Sequence, residues 1–146
     1  MKKLFSILVM VLGLTFGLNA QESTIPNPDP NAPDIKFENE VLDYGVIDYD
    51  ANGIREFKFT NTGKTPLTIT SVTGECGCTA TTIDGKPGWP TEPILPGKSG
   101  VIKVKYDTKR EGRFEKNVTV ASNAKFSSKK IRIKGEIKAK PTTGEN

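Results

Sequence analysis

The residues with the sharpest chemical potential in this chain of 146 are its two cysteines, Cys76 and Cys78, separated only by Gly77. Side chains two apart on an extended strand point the same way, but their backbones stand about 6.5 Å apart, at the long end of what a disulfide spans. A bridge therefore requires Gly77 to bend the chain. It would be strained, and strain raises a reduction potential; the loop it closes is so short that it removes little entropy from the unfolded chain. Its value would then be redox rather than stability. Two thiolates at this spacing also suit a soft ion, Cu(I) by preference, so Cys76 and Cys78 are an alternative metal pair. A tetrahedral zinc site lacks two ligands, because the chain has no histidine and no third cysteine. The plainer readings are thiols packed into a core, local pairing in an oxidising compartment, or pairing between molecules. No histidine or helix N-terminus is at hand to lower a thiol pKa, and Glu75 next door raises it, which weighs against redox activity.

The same lack of histidine removes a Ser-His or Cys-His nucleophile. No glycine-rich phosphate cradle followed by lysine and Ser or Thr occurs, and the acidic residues are spread along outward faces with nothing to push their pKa values apart. An enzyme is not expected, and neither a catalytic residue nor a cofactor is assigned. A binding loop is a better candidate. Between Ile83 and Pro96 the run Asp84-Gly85-Lys86-Pro87-Gly88-Trp89-Pro90-Thr91-Glu92-Pro93 offers Lys86, Trp89 and Glu92 to a partner. Trp89 there either stacks on a sugar or peptide, or folds back to cap the open end of the core.

Charge separates these options from nucleic-acid binding. The chain has 21 basic and 17 acidic residues, a net +4. Two of those basic residues, Lys2 and Lys3, head an apolar stretch from Leu4 to Leu18 that ends in Leu18-Asn19-Ala20, the pattern of a signal peptide over residues 1–20 cut after Ala20. The stretch falls short of the roughly 20 residues a bilayer needs and lacks a basic far flank, so no membrane span is expected after cleavage. Without those lysines the excess of basic residues is only about two, too small for a dedicated nucleic-acid binder. Lys103, Lys105, Lys109, Arg110 and Arg113, with Lys129, Lys130, Arg132, Lys134, Lys138 and Lys140, read as solvated outer faces rather than a stripe for anionic polymers. Asn117-Val118-Thr119 fits a glycosylation acceptor but falls on a strand, an unfavourable place for one.

The elements that must position these residues are strands. Residues 21–33, rich in proline, read as a linker, and 139–146 as a disordered tail. Between them, over 34–138, apolar residues alternate with period two. Ile35 and Phe37 begin the pattern, followed by Phe57 and Phe59, then Leu67 and Ile69. Ile102, Val104 and Tyr106 continue it, then Phe114, Val118 and Val120, and last Ile131, Ile133 and Ile137. Turn chemistry separates the runs at Asn52-Gly53, Asn61-Thr62-Gly63, Thr73-Gly74, Asp84-Gly85, Pro96-Gly97, Glu111-Gly112 and Ser122-Asn123. No helical stripe persists. This predicts an all-β, immunoglobulin-like antiparallel β-sandwich of about seven strands.

Asp43-Tyr44-Gly45-Val46, Asn61-Thr62-Gly63, Pro66-Leu67-Thr68-Ile69, Cys76-Gly77-Cys78-Thr79, Pro96-Gly97-Lys98, Gly112, Ala121-Ser122-Asn123 and Ile133-Lys134-Gly135 occur in an order that resembles an exported bacterial family. It is the domain-of-unknown-function family 1573, with its Cys-Gly-Cys-Thr signature, which is similar to hydin-like and PapD-like immunoglobulin sandwiches. The resemblance covers nearly the whole of 34–138 and implies the fold more than an activity. This chain departs from the pattern in the long Ile83 to Pro96 loop. The expectation is an exported, periplasmic or secreted, non-enzymatic module of the cell envelope that binds a protein or envelope partner through a sheet edge or end loops. A thiol redox or copper-handling protein using Cys76 and Cys78 is the alternative.

Overall fold

The computed structural model describes residues 26–142. The expected signal peptide, the start of the linker and the last four residues of the tail lie outside the described residues. Among those described there is no helix. None is therefore long and apolar enough to cross a membrane.

Ten strands follow in chain order: β1 (Ile35–Phe37), β2 (Val41–Ile47), β3 (Ile54–Asn61), β4 (Ile69–Gly74), β5 (Thr79–Ala80), β6 (Thr82–Ile83), β7 (Lys86–Pro87), β8 (Ser99–Tyr106), β9 (Gly112–Ser122) and β10 (Ser128–Ile137). Two four-stranded sheets, ordered β1-β3-β8-β5 and β2-β10-β9-β4, carry the fold, and β6 with β7 forms a separate hairpin. The count exceeds seven because β5, β6 and β7 are two-residue pieces inside connections that the sequence reads as loop.

Alternation placed the long strands. Phe57 sits opposite Ile102 in the β3–β8 ladder, and Ile131 opposite Val118 in the β10–β9 ladder. All four are buried, while Glu56, Lys58, Lys103, Arg132 and Lys134 face solvent. Aromatic rings join the layers: Tyr106 of the first sheet stacks on Phe114 of the second at 3.8 Å between ring centroids. The Tyr44 ring meets the same Phe114 edge-on at 5.2 Å. Apolar area removed from water, at roughly 25 cal/mol per Å2, is the main force holding such a sandwich together.

The strand ladders are antiparallel with one exception: β2 runs parallel to β10, so the second sheet is mixed. Side-chain alternation carries no information on strand direction, which the connections decide. Alternation also missed β2 itself. In Val41-Leu42-Asp43-Tyr44-Gly45-Val46-Ile47 only Tyr44 is fully buried, because this is an outermost strand with a bulge at Tyr44 and Gly45, where the register against β10 shifts. Gly45 takes φ +64°, a left-handed conformation that suits glycine, and its N–H donates to Asp43 Oδ1 at 2.8 Å.

The part of the expected linker in view is tied down. The Asn27 N–H donates to the Lys125 carbonyl at 2.7 Å, and the Lys125 N–H to that of Pro33 at 2.7 Å. The Thr65 hydroxyl donates to the Asn31 carbonyl at 2.9 Å, while Ala32 and Pro33 are buried. Proline-fixed extended backbone has free carbonyls, and the sandwich supplies donors to them.

Candidate functional sites: the Cys76–Cys78 turn, the Trp89 loop and the β2 edge

Cys76 and Cys78 lie where the chain leaves β4 of one sheet and enters β5 of the other. Their Cα atoms are 5.2 Å apart and their sulfurs are joined in a disulfide. The chain bends at Gly77: the Thr79 N–H donates to the Cys76 carbonyl at 3.1 Å, closing a turn. On either side, the Glu75 N–H donates to the Asn117 carbonyl at 3.0 Å and the Asp107 N–H to that of Cys78 at 2.9 Å. Cys78 is buried at 4% exposure and Cys76 is half-buried, beside the exposed Gly77. The Glu75 carboxylate accepts the Asn117 N–H at 2.8 Å, and that bond holds its carboxyl below the usual range, so a negative charge stays next to the pair. In disulfide form neither sulfur is a thiolate, and a Cu(I) pair would first require reduction. Among the described residues no group of three or more His, Cys, Asp or Glu is placed to hold a metal ion.

The Ile83 to Pro96 connection is folded rather than open. Asp84 and Gly85 both take positive φ, 51° and 75°, the turn geometry that joins β6 to β7 as a two-residue hairpin. The Lys103 N–H of β8 donates to the Gly88 carbonyl at 2.6 Å, so the loop continues the sheet beyond the short β5. Trp89 is half-buried and packs against the core. Lys86 and Trp89 share a shallow groove of about 530 Å3 with Ile83, Val101 and Lys103. Glu92 is exposed and stands apart from that groove.

Two features escaped the sequence. Asn61, read as a turn residue, is completely buried and its amide holds the far end of the same loop. The β2 edge is the second: Val41 and Val46 are 45% and 62% exposed. The available signal was the pair Val46-Ile47, adjacent apolar residues that cannot both face inward on a strand. Near the bulge, Val46, Gly45, Asp43, Arg113, Phe114 and Gly135 border a groove of about 580 Å3.

The basic residues of the outer faces are largely matched by acids. Lys129 meets Glu40 at 2.7 Å, Arg132 meets Glu115 at 2.6 Å, Lys134 meets Asp43 at 3.3 Å and Lys138 meets Asp48 at 2.8 Å.

Solved structures share this fold. A protein of unknown function from Porphyromonas gingivalis W83 aligns with a TM-score of 0.60 at 18% identity over 73% of this chain, which spans 48% of that protein. The seventh PapD-like (ASH) domain of human CEP192 aligns with 0.57 at 9% identity, over 79% of this chain and 93% of that one. The secreted serine protease VesC from Vibrio cholerae aligns with 0.54 at 14% identity over 74% of this chain but only 24% of the protease. At such identities the likeness is one of fold. No curated protein matches the sequence significantly. Residues 35–137, the span from the first strand of the sandwich to the last, match the DUF1573 family of proteins of unknown function, and the chain belongs to that family.

Proposed function

We propose that this protein is an exported, non-enzymatic interaction module of the cell envelope that takes an extended segment of a partner protein on the free edge of β2. The observation that carries the reading is the state of the four sheet edges. β1 and β5 are three and two residues long, too short to template a strand. β4 is partly covered, since the Thr81 hydroxyl donates to the Val72 carbonyl at 2.7 Å. β2 is seven residues long and exposes Val41 and Val46. Soluble proteins generally blunt such an edge with charge, brevity, a bulge or a covering loop. β2 has the bulge at Tyr44 and Gly45 but is long and exposes Val41 and Val46 on either side of it. Such an edge is a place for strand addition, in which backbone hydrogen bonds give affinity and side-chain pockets give specificity. The groove beside Val46 would take one side chain of the incoming strand. A PapD-like fold agrees with this mode of action. Export is supported by the pattern of residues 1–20 and by a disulfide, which persists in oxidising compartments.

The test is site-specific photo-crosslinking in the producing cell, with the crosslinking side chain at Val46, at Lys86 in the loop groove, and at Lys58 on the outer face of β3. Discrete protein adducts from Val46 but not Lys58 are expected. Adducts from Lys86 alone would move the contact to the loop, and none from either would sink the interaction reading. Intact mass of the same material should begin at Gln21; a retained Met1 would remove the export claim.

A further inference from the structure

We propose that the Cys76–Cys78 bridge is a thiol–disulfide exchange centre that reacts with a protein dithiol, entered at Cys76 Sγ. The two sulfurs are unequal. Cys78 is buried and its Sγ lies 3.8 Å from the Thr79 hydroxyl, whereas Cys76 is half-buried and borders a shallow open groove of about 410 Å3 with Thr73, Gly77, Thr79 and Thr81. A side chain built on Gly77 would meet nothing within 4 Å, so an approaching thiol has room on that side.

The bridge is also not what holds the turn. The hydrogen bonds from Thr79 to Cys76, Glu75 to Asn117 and Asp107 to Cys78 fix the crossover by backbone alone. The bridge spans a single residue, so it removes little entropy from the unfolded chain. A covalent bond that adds little to stability, in a turn that stands without it, can open and close while the sandwich remains folded.

The chemistry balances with a dithiol as the reductant. One partner thiolate attacks Cys76 Sγ, the Cys76–Cys78 bond breaks, and Cys78 leaves as a thiolate that takes a proton from water. This leaves a mixed disulfide between the partner and Cys76. The partner's second thiolate then attacks the partner sulfur of that bond, and Cys76 leaves as a thiolate and is protonated. The partner is oxidised to a disulfide and the pair is reduced to two thiols, two electrons and two protons having moved; the reverse sequence returns them. A dithiol is favoured over a monothiol because Cys78 stands next to Cys76 and re-closes the ring quickly. Only a second thiol already tethered to the partner competes with it.

The test uses the full exported chain with its bridge intact and dithiothreitol as the dithiol probe, without denaturant. Alkylation of both cysteines with an unchanged far-ultraviolet circular dichroism spectrum and unchanged Trp89 fluorescence is expected. Cys78→Ser, which leaves Cys76, should react with an aromatic disulfide at least about tenfold faster than Cys76→Ser, which leaves the buried thiol. If either variant fails to fold, substoichiometric alkylation of the reduced wild-type chain, followed by peptide mapping, gives the same comparison. A bridge that reduces only with unfolding, or two cysteines that label equally fast, would overturn the proposal.

Discussion

The side-chain amide of Asn61 donates to the carbonyl of Ile94, 33 residues further along the chain, at 2.9 Å. The same amide donates to the Thr65 carbonyl at 2.8 Å, and its oxygen accepts the Gly63 N–H at 2.9 Å. Asn61 is fully buried, and no buried side-chain polar atom among the described residues lacks a partner. One side chain thus satisfies the Asn61 turn and, beside the reciprocal backbone hydrogen bonds of Leu67 with Ile94, helps to fasten the C-terminal end of the Trp89 loop to the core. Asn61→Leu keeps the number of side-chain heavy atoms but strands the Thr65 carbonyl and the Gly63 and Asp34 N–H groups, and leaves the Ile94 carbonyl only the Leu67 N–H. A loss of about 2–4 kcal/mol in urea unfolding is expected, together with faster proteolysis between Lys86 and Lys98. A change below about 0.5 kcal/mol would show that the loop is anchored by other contacts.

Gly135 of β10 faces the β2 bulge. A methyl group there would lie 2.8 Å from Tyr44 Cβ and 3.0 Å from both the Gly45 carbonyl oxygen and the Phe114 ring. Two of these three neighbours are backbone or backbone-adjacent and cannot swing aside. Gly135→Ala should therefore cost about 1–3 kcal/mol by thermal or urea unfolding and push β2 away from β10. If the β2 edge binds a partner strand, the same substitution should weaken that crosslink at Val46 more than any contact at Lys86.

Tyr44 carries a pH dependence at the alkaline end. Burial raises its hydroxyl to about 12 from an ordinary 10, with the Arg55 guanidinium, 4.2 Å over its ring, opposing the shift. Below pH 10 the group is protonated in both folded and unfolded chains and contributes no slope. Between 10 and 12 the unfolded chain loses this proton first, so stability falls as pH rises, by about 2–3 kcal/mol across the window. Tyr44→Phe also loses the hydrogen bond from the hydroxyl to the Gly53 carbonyl, 2.9 Å, and starts less stable at neutral pH. Its unfolding free energy should nonetheless decline less steeply above pH 10 than that of the wild type. Parallel slopes would show that Tyr44 is not the group responsible.

The ion pairs of the second sheet predict weak electrostatics. Arg132 with Glu115 and Lys134 with Asp43 are both about half exposed, where such pairs contribute ~1 kcal/mol or less and are screened by salt. Arg132→Ala and Lys134→Ala should each shift stability by less than about 1 kcal/mol. Because the acids neutralise this face, the protein should elute from heparin below physiological salt. Retention well above it would reopen the reading of the basic strands as a surface for anionic polymers.

Much of the fold was legible because its long strands are amphipathic. Phe57 and Phe59 between charged neighbours, or Ile131 and Ile133 around Arg132, can satisfy water and core together only as half-buried strands. The β2 strand was not legible, since an edge strand with a bulge buries one side chain of seven and leaves no alternation to read. The β6–β7 hairpin shows the reverse case: Asp84-Gly85 announced a turn, but strands of two residues have too few side chains for a pattern.

The candidate sites divide along the same line. Composition and local spacing by themselves determined that histidine chemistry is absent, that the chain pairs its only two cysteines across one glycine if it pairs them within itself, and that apolar alternation must close into a sandwich. These are properties of residue type and short-range geometry. Only the tertiary structure decided that Cys78 is buried while Cys76 is half-buried, that the Asn61 amide bonds a loop end 33 residues away, and that β2 is an outermost strand with Val41 and Val46 exposed. Each of these depends on which distant segment covers a given backbone, and burial of that kind is set by contacts between sheets that no local pattern encodes.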